Sequence, residues 1–381
     1  MVLPKEWTVI KILFFIETLN GGGAAKVLTN LVNAMDKSKF LITVQTLFQE
    51  SVSESLEPGI RYRYCYERHT ALNQLIARIE SAVGLVYKLH IRDQYDIECA
   101  YLESLSTKII AASNNSGALK CAWIHCDLEK MSKNPHKYAL KTRPCYNTFD
   151  RVICVSKDIQ KVVRSMYENS FDTDVMYNTI NDQEILKKAE IQLPNNVHKI
   201  RLTLLTVGTL YPPKNHMRLL RTCKRLIDEG ILFDLWVLGD GPDRGDLEHF
   251  VCENGLQEFV YLWGFSANPY PFMKNADLLV CSSNYEGFST FITEGLIIGK
   301  PIVTTDVSGM REILGDSEYG LITANNDEAF YEGVKRMLTE PGLLEYYAGQ
   351  AKLRGKDFKC ERLAGETEAF FEAELRKKRG E

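Results

Sequence analysis

Residues 277–305 read Asp-Leu-Leu-Val-Cys-Ser-Ser-Asn-Tyr-Glu-Gly-Phe-Ser-Thr-Phe-Ile-Thr-Glu-Gly-Leu-Ile-Ile-Gly-Lys-Pro-Ile-Val-Thr-Thr. An apolar strand (277–281) leads into a small-residue turn, Gly287-Phe288-Ser289-Thr290, which opens a helix. Pro301 then begins a second apolar strand (301–305). Strand, loop, helix, strand is the repeating unit of a parallel α/β sheet. Glu286 and Glu294 stand eight apart, one in the loop and one within the helix. Free N–H groups at a helix start attract phosphate through unpaired donors and the helix dipole. Two carboxylates beside them can hold hydroxyls such as those of a sugar and a ribose. The stretch therefore suits a nucleotide-linked sugar.

The alternation extends through the chain in both directions. A strand over 8–16, a Gly-rich turn at 20–23 and a helix from about Ala24 follow one another. Val27, Leu28, Leu31, Val32 and Met35 fall on one helical face. A strand over 42–48 completes a βαβ unit with glycines at its first turn, as in doubly wound sheets. Further strands are expected at 97–102, 119–125 and 151–155, and helices at about 70–90, 104–114, 135–148 and 157–168. Residues 190–200 are polar, carry Pro194 and break the pattern, which places a domain boundary there. Strands then recur at 201–207, 233–238 and 259–262, with helices at 215–229, 243–254 and 269–274. Helices at 341–356 and 358–378 end the chain. The expected fold is α/β: two Rossmann-like, doubly wound parallel-sheet domains facing each other across a cleft. The first covers 1–190 and the second 195–357, with the terminal helix, 358–381, packing back on the first.

A chain of 381 residues has room for two such cores. Its 45% apolar and 25% charged content is that of an ordinary globular protein, and a net charge of −4 argues against a nucleic-acid partner. The ten cysteines form no CxxC pair, and several, such as Cys154 and Cys281, sit in apolar strands. They read as buried free thiols in a reducing compartment rather than a disulfide framework or a zinc site. Lys5 precedes an apolar run, and Gly22-Gly23-Ala24-Ala25 imitates a cleavage site. Lys11 and Glu17 interrupt that run, whose composition is that of a strand, not a signal peptide. No stretch approaches the roughly 20 apolar residues of a membrane span.

Four further motifs accompany the Glu286-x7-Glu294 spacing: LNGGGAAKVLTNLVNAM at 19–35, VGTLYPPKNHMRLL at 207–220, WVLGDGP at 236–242 and VSGMREIL at 307–314. In this order they resemble the retaining GT-B glycosyltransferases of family 4, the glycosyl transferases group 1, over almost the whole chain. The resemblance gives the residues roles. Glu294 would bind the ribose, since an ionised acid accepts two hydroxyl hydrogen bonds. Glu286 would contact the donor sugar near its reacting face. Gly287, Phe288, Ser289 and Thr290 would offer N–H groups and two hydroxyls to the diphosphate, with the Phe288 ring equally suited to the core. The family places an arginine after Gly208 and a lysine five positions beyond it, both neutralising the departing diphosphate. Here the lysine is Lys214, but the arginine position is Thr209, whose hydroxyl gives a bond about half as strong as a charge-assisted one. Arg218 or Arg311 could substitute, or catalysis is weaker. Gly241 belongs to the glycine-proline turn on the donor side.

In the first domain, Gly21, Gly22 and Gly23 let the backbone approach a ligand. The lack of G-x-G-x-x-G argues against a nicotinamide cofactor. His125, at the end of an apolar strand, resembles the family's histidine at the donor sugar, and Asp127 would orient its loop. No histidine has metal-ligand spacing, so no metal and no cofactor beyond the nucleotide-diphosphate sugar are expected. Lys130, Lys133, His136, Lys137, Lys141 and Arg143 form a basic run, and Arg61, Arg63 and Arg68 another among Tyr62, Tyr64 and Tyr66. Either could meet anionic lipid or a lipid-linked phosphate. Arg376–Arg379 decorates a helix end.

The resemblance implies a cytoplasmic, metal-independent retaining glycosyltransferase, peripheral at the inner face of the plasma membrane. It would move a sugar from a nucleotide diphosphate, UDP favoured, to a glycan or lipid-linked oligosaccharide in bacterial surface polysaccharide synthesis. Glu286, His125 and Lys214 would be catalytic. The alternatives are a GT-B nucleotide-sugar epimerase and a non-catalytic nucleotide-sugar-binding relative.

Overall fold

Leu278–Cys281 is buried along its whole length, as a strand covered on both faces must be. The computed structural model describes residues 9–20, 22–51 and 55–381. Lys5, Thr8 and Gly21 lie outside the described residues. The chain divides into two compact units, one running to Thr179 and including Cys360–Glu381, the other Ile180–Lys359.

The first unit holds β1 (Ile10–Phe15), β2 (Phe40–Phe48), β3 (Arg61–Tyr66), β4 (Ile97–Ala100), β5 (Leu119–Ile124), β6 (Arg151–Cys154) and β7 (Thr173–Val175). They form one parallel sheet in the order β3-β2-β1-β4-β5-β6-β7. The second unit holds β8 (Thr203–Val207), β9 (Asp234–Leu238), β10 (Val260–Gly264), β11 (Leu278–Cys281), β12 (Ile302–Thr305) and β13 (Leu321–Thr323). Their order is β10-β9-β8-β11-β12-β13, again all parallel. In each sheet the chain steps outward from its first strand and then returns to the other side of it. The order reverses between β1 and β4, and between β8 and β11. Ligands of open α/β sheets bind outside the strands' carboxyl ends at this reversal.

Differences from the sequence reading have local causes. The stretch 61–66 is an edge strand whose alternating Arg and Tyr side chains stay largely exposed; such a polar edge resists pairing with other chains. The single helix expected over 70–90 is two, Ala71–Ala82 and Val86–His90, broken at Gly84, whose φ of 70° no helix accepts. The division between units falls at Thr179, ahead of 190–200. The helix Asp182–Ala189 packs on Tyr270–Asn275 and Thr290–Ile298 and so belongs to the second unit.

The final helix, Cys360–Arg379, packs in the first unit, with Phe371 against Phe14 and Trp123 at ring separations of 6.1 and 5.9 Å. Each of its four terminal basic residues meets a carboxylate: Arg376 Glu372, Lys377 Glu374, Lys378 Asp150 and Arg379 Asp96. All ten cysteines are free thiols; six are buried, whereas Cys252 is exposed.

Candidate active site

β8 and β11 are neighbours, pairing Leu204 with Leu278 and Leu205 with Leu279. Their following loops therefore lie side by side. The Asn284 N–H donates to the Pro213 carbonyl at 2.7 Å, and Ser282 Oγ donates to the carbonyls of Lys214 and Asn215 at 3.0 Å. Asn215 adopts the left-handed conformation that asparagine tolerates. From there its Oδ1 caps the helix His216–Asp228 through the Arg218 N–H.

This tie sets Lys214 against Glu286. Lys214 Nζ donates to both Glu286 carboxylate oxygens, at 2.6 and 2.9 Å, and Ser283 Oγ donates to Oε1 at 2.7 Å. Burial pulls the Lys214 pKa down, but the Glu286 carboxylate more than offsets it and the ammonium is held charged. Thr206, His216 and Cys281 line the recess beneath. Burial, aided by Lys214, pushes His216 down to about 4, so it is neutral at pH 7. Its Nδ1 has no hydrogen-bond partner among the described residues.

The helix Thr290–Ile298 starts beside this pair. Gly295 lets it lie on β11, since a Cβ there would stand 2.5 Å from Leu279 Cδ1. Gly299, at φ 80°, ends it in the left-handed conformation, with the Lys300 N–H reaching back to the Gly295 carbonyl. Glu294 is 4% exposed and accepts from Tyr270 Oη at 3.4 Å. Ser289 is buried at the cap, and Thr290 opens the first turn. The Phe288 ring is core, 6.4 Å from that of Phe358, so only its backbone can face a ligand. The glycine at 309, with φ of 80°, supports this loop: a Cβ there would meet the Gly287 carbonyl oxygen at 2.6 Å. VSGMREIL thus acts by packing under the 286–288 turn, a link no sequence signal gave.

The glycines of WVLGDGP have a similar reason. A Cβ at Gly239 would stand 1.8 Å from the Gly208 carbonyl oxygen, and one at Gly241 would stand 2.4 Å from that of Leu210. Gly208 has no such need, since its Cβ would meet only the Lys214 side chain at 3.8 Å. Thr209 is exposed. Neither cation considered as a substitute is free for the role. Arg218 is buried and holds Asp327 at 2.9 Å, Asn325 at 2.7 Å and the Ser282 carbonyl at 3.2 Å. Arg311 is paired with Asp306 and Asp316.

The first unit's candidates lie at its own strand ends. Gly22, at φ 83°, precedes the helix Gly23–Ala34 and has open space around its Cβ position. Its glycine is a backbone requirement. His125 follows β5; its N–H donates to Glu103 Oε2 at 3.1 Å, and its ring lies 5.0 Å from that of Tyr101. Burial lowers the His125 pKa against the pull of Glu103, and Nε2 has no partner among the described residues. Asp127 caps the short helix Leu128–Met131 through the Lys130 N–H at 3.1 Å. Two acids were not anticipated. Buried Glu103 holds the His125 backbone, and Glu17 accepts the Leu105 N–H at 3.2 Å, its pKa raised by burial. Only the strand order, with β4 beside β1 and β5, reveals them.

Residues 201–340 match the family Glycosyl transferases group 1. The chain is 33% identical over 218 residues to N-acetylgalactosamine-N,N'-diacetylbacillosaminyl-diphospho-undecaprenol 4-alpha-N-acetylgalactosaminyltransferase of Campylobacter jejuni, covering 56% of this chain and 57% of that enzyme. It is 21% identical over 324 residues to the lipopolysaccharide core biosynthesis glycosyltransferase LpsE of Rhizobium meliloti, covering 84% and 87%. Like the Campylobacter enzyme, two other curated relatives are spanned over only part of their length, 65% and 57%. Among solved structures, Anabaena HepE in complex with UDP and glucose matches with a TM-score of 0.74 at 16% identity, covering 96% of this chain and all of that one. Sucrose-phosphate synthase from Thermosynechococcus elongatus matches with a TM-score of 0.78 at 15% identity, covering 96% and 98%. These likenesses show the GT-B fold.

Proposed function

From the chain's membership of the group 1 glycosyl transferases, carried by residues 201–340, we propose that it is a retaining glycosyltransferase. It moves a sugar from a nucleotide diphosphate, UDP favoured, to a hydroxyl of a glycan or lipid-linked acceptor in bacterial surface polysaccharide synthesis. The observation that carries this reading is the Lys214–Glu286 pair at the strand-order reversal of the second unit, beside a helix N-terminus.

Breaking the anomeric bond puts negative charge on the diphosphate and positive charge on the sugar. Lys214 and the N–H groups at 287–290 stabilise the first. As the ammonium turns to phosphate, Glu286 is released to accept a donor-sugar hydroxyl, with Ser283 keeping its carboxylate in place. Glu294 holds the ribose, and His125 is the residue that the resemblance assigns to the donor sugar. The departing phosphate takes the acceptor's proton on the same face.

The UDP and glucose bound to HepE support a UDP-sugar donor, and the diphospho-undecaprenol in the Campylobacter enzyme's name supports a lipid-linked acceptor. Among the described residues no helix is long and apolar enough to cross a membrane. With such an acceptor the proposed place of action is the cytoplasmic membrane face.

The test combines calorimetry with UDP and GDP and mass spectrometry of products from a panel of nucleotide sugars with a membrane extract. Expected are UDP binding and a new glycosylated lipid, with the product lowered about 10²-fold or more by Glu286→Gln and by Lys214→Ala. UDP binding without any product would instead favour the non-catalytic reading that Thr209 suggests. Transfer at the parent rate by Glu286→Gln would remove Glu286 from the mechanism.

A further inference from the structure

The helix Ala71–Ala82 in the first unit presents its apolar side to solvent. Its inward side carries Ala77 and the polar Glu80, which accepts from Tyr66 Oη at 2.6 Å and lies 3.0 Å from His90 Nε2. Outward, Leu72, Leu75, Ile79 and Val83 are 65%, 54%, 56% and 62% exposed. Their spacing of three and four keeps them in one stripe. Leu85 and Leu89 are exposed just beyond it. Isolated exposed apolar residues are ordinary; a contiguous stripe marks a contact.

Charge identifies the contact. Residues 61–93 carry Arg61, Arg63, Arg68, Arg78, Lys88 and Arg92 against Glu67, Glu80 and Asp93, in a chain of net charge −4. All six cations are exposed, and none is in an ion pair among the described residues. The basic residues 376–379, by contrast, are all paired. The neighbouring layer repeats the pattern. Ala71–Ala82 packs on Leu105–Ala111, which packs on Pro135–Tyr146. There Leu140 is exposed on the same helical face as exposed Lys137 and Lys141. A protein partner's interface core is depleted in lysine. A lipid surface takes apolar stems and basic heads together.

We propose that this face docks in plane on an anionic membrane. Leu72, Leu75, Ile79 and Val83 enter the headgroup–acyl boundary, and the surrounding Arg and Lys side chains meet lipid phosphates. Docking would bring a lipid-borne acceptor to the first unit and so deepens the proposed transfer reaction. Its test uses no turnover, so docking and transfer can fail separately.

The full chain is sedimented with vesicles of phosphatidylcholine alone and with phosphatidylglycerol added. Partition onto the anionic vesicles is expected to exceed that onto neutral ones by about ten-fold or more and to fall with salt. The double variant Leu75→Asp/Ile79→Asp changes two exposed side chains. It is expected to lower partition by about ten-fold or more with an unchanged melting temperature. The triple variant Arg78→Glu/Lys88→Glu/Arg92→Glu is expected to do the same while keeping the stripe. Equal binding to both vesicle types, no binding to either, or partition that these variants leave unchanged overturns the proposal. So does a parent chain that is dimeric in solution and becomes monomeric with Leu75→Asp/Ile79→Asp, since the stripe then joins two copies.

Discussion

Lys214 Nζ sits 2.6 and 2.9 Å from the two carboxylate oxygens of Glu286, 72 residues away in sequence. Each is the other's counter-charge, and the Glu286 side chain is only 10% exposed. Removing either partner leaves the other with an unmatched charge in a partly buried recess, since the Lys214 side chain is 31% exposed. Lys214→Ala or Glu286→Ala alone is expected to destabilise the second unit by about 1–3 kcal/mol, and the double variant by clearly less than the sum. Denaturant unfolding of the four proteins gives the coupling. Strict additivity would mean that the pair contributes nothing to stability.

Gly309 makes a separable prediction, because it touches the 286–288 turn from below. Alanine there faces both a φ of 80° and a 2.6 Å approach to the Gly287 carbonyl oxygen. The strain alone is worth about 1–3 kcal/mol, and its relief displaces the Gly287–Phe288 backbone. Gly309→Ala should weaken UDP binding about ten-fold by calorimetry. Gly342→Ala, at φ 79° with open space, should cost about 1 kcal/mol of stability with UDP binding unchanged. Similar UDP affinities for the two variants would rule out the support role.

His216 ties stability to pH. Its folded pKa is depressed from 6.5 to about 4, first by burial and then by Lys214. The unfolded chain therefore binds the proton more readily than the folded one. The contribution is fully present above pH 6.5 and is lost as pH falls toward about 4. At about 1.4 kcal/mol per unit it reaches roughly 3 kcal/mol. Unfolding free energies at pH 7 and pH 5 should differ less in His216→Gln than in the parent. An identical pH slope in both proteins would show that His216 titrates normally.

Much of this was legible because one stretch of chain carried it. The strand 278–281, the turn at 287–290 and the helix after it announce themselves by an apolar run, small residues and another apolar run. Phe288 did not, since a core ring and a loop ring look alike until Phe358 is placed beside it. The edge strand Arg61–Tyr66 hid because Arg61, Arg63 and Tyr64 face solvent and only Tyr66 is buried. The Lys214–Glu286 contact, the support from Gly309 and the Glu103 bond to the His125 backbone all cross strands whose adjacency is a matter of sheet order. The face of a helix is readable as a stripe, but its direction is not. Leu72, Leu75, Ile79 and Val83 would pass for a buried stripe in any periodicity argument.

Thr209 offers the sharpest test of the donor site. It is exposed at the turn after β8, five residues before Lys214, where the family resemblance places an arginine. Arg218 cannot lend its charge without abandoning Asp327, Asn325 and the Ser282 carbonyl. Arg311 would have to leave Asp306 and Asp316. In the proposed reaction the departing diphosphate would therefore meet Lys214 and backbone dipoles, with one cation fewer than the resemblance implies. A guanidinium at 209 adds a donor aimed at charge that grows in the transition state, so it should act on turnover more than on ground-state binding. Thr209→Arg is expected to raise kcat about ten-fold or more, with UDP affinity rising less than kcat. The stability cost should stay within about 0.5 kcal/mol, because the position is exposed. A rise in UDP affinity with kcat unchanged would show that leaving-group charge is already compensated when the bond breaks. The slow step would then lie elsewhere, in acceptor binding or product release.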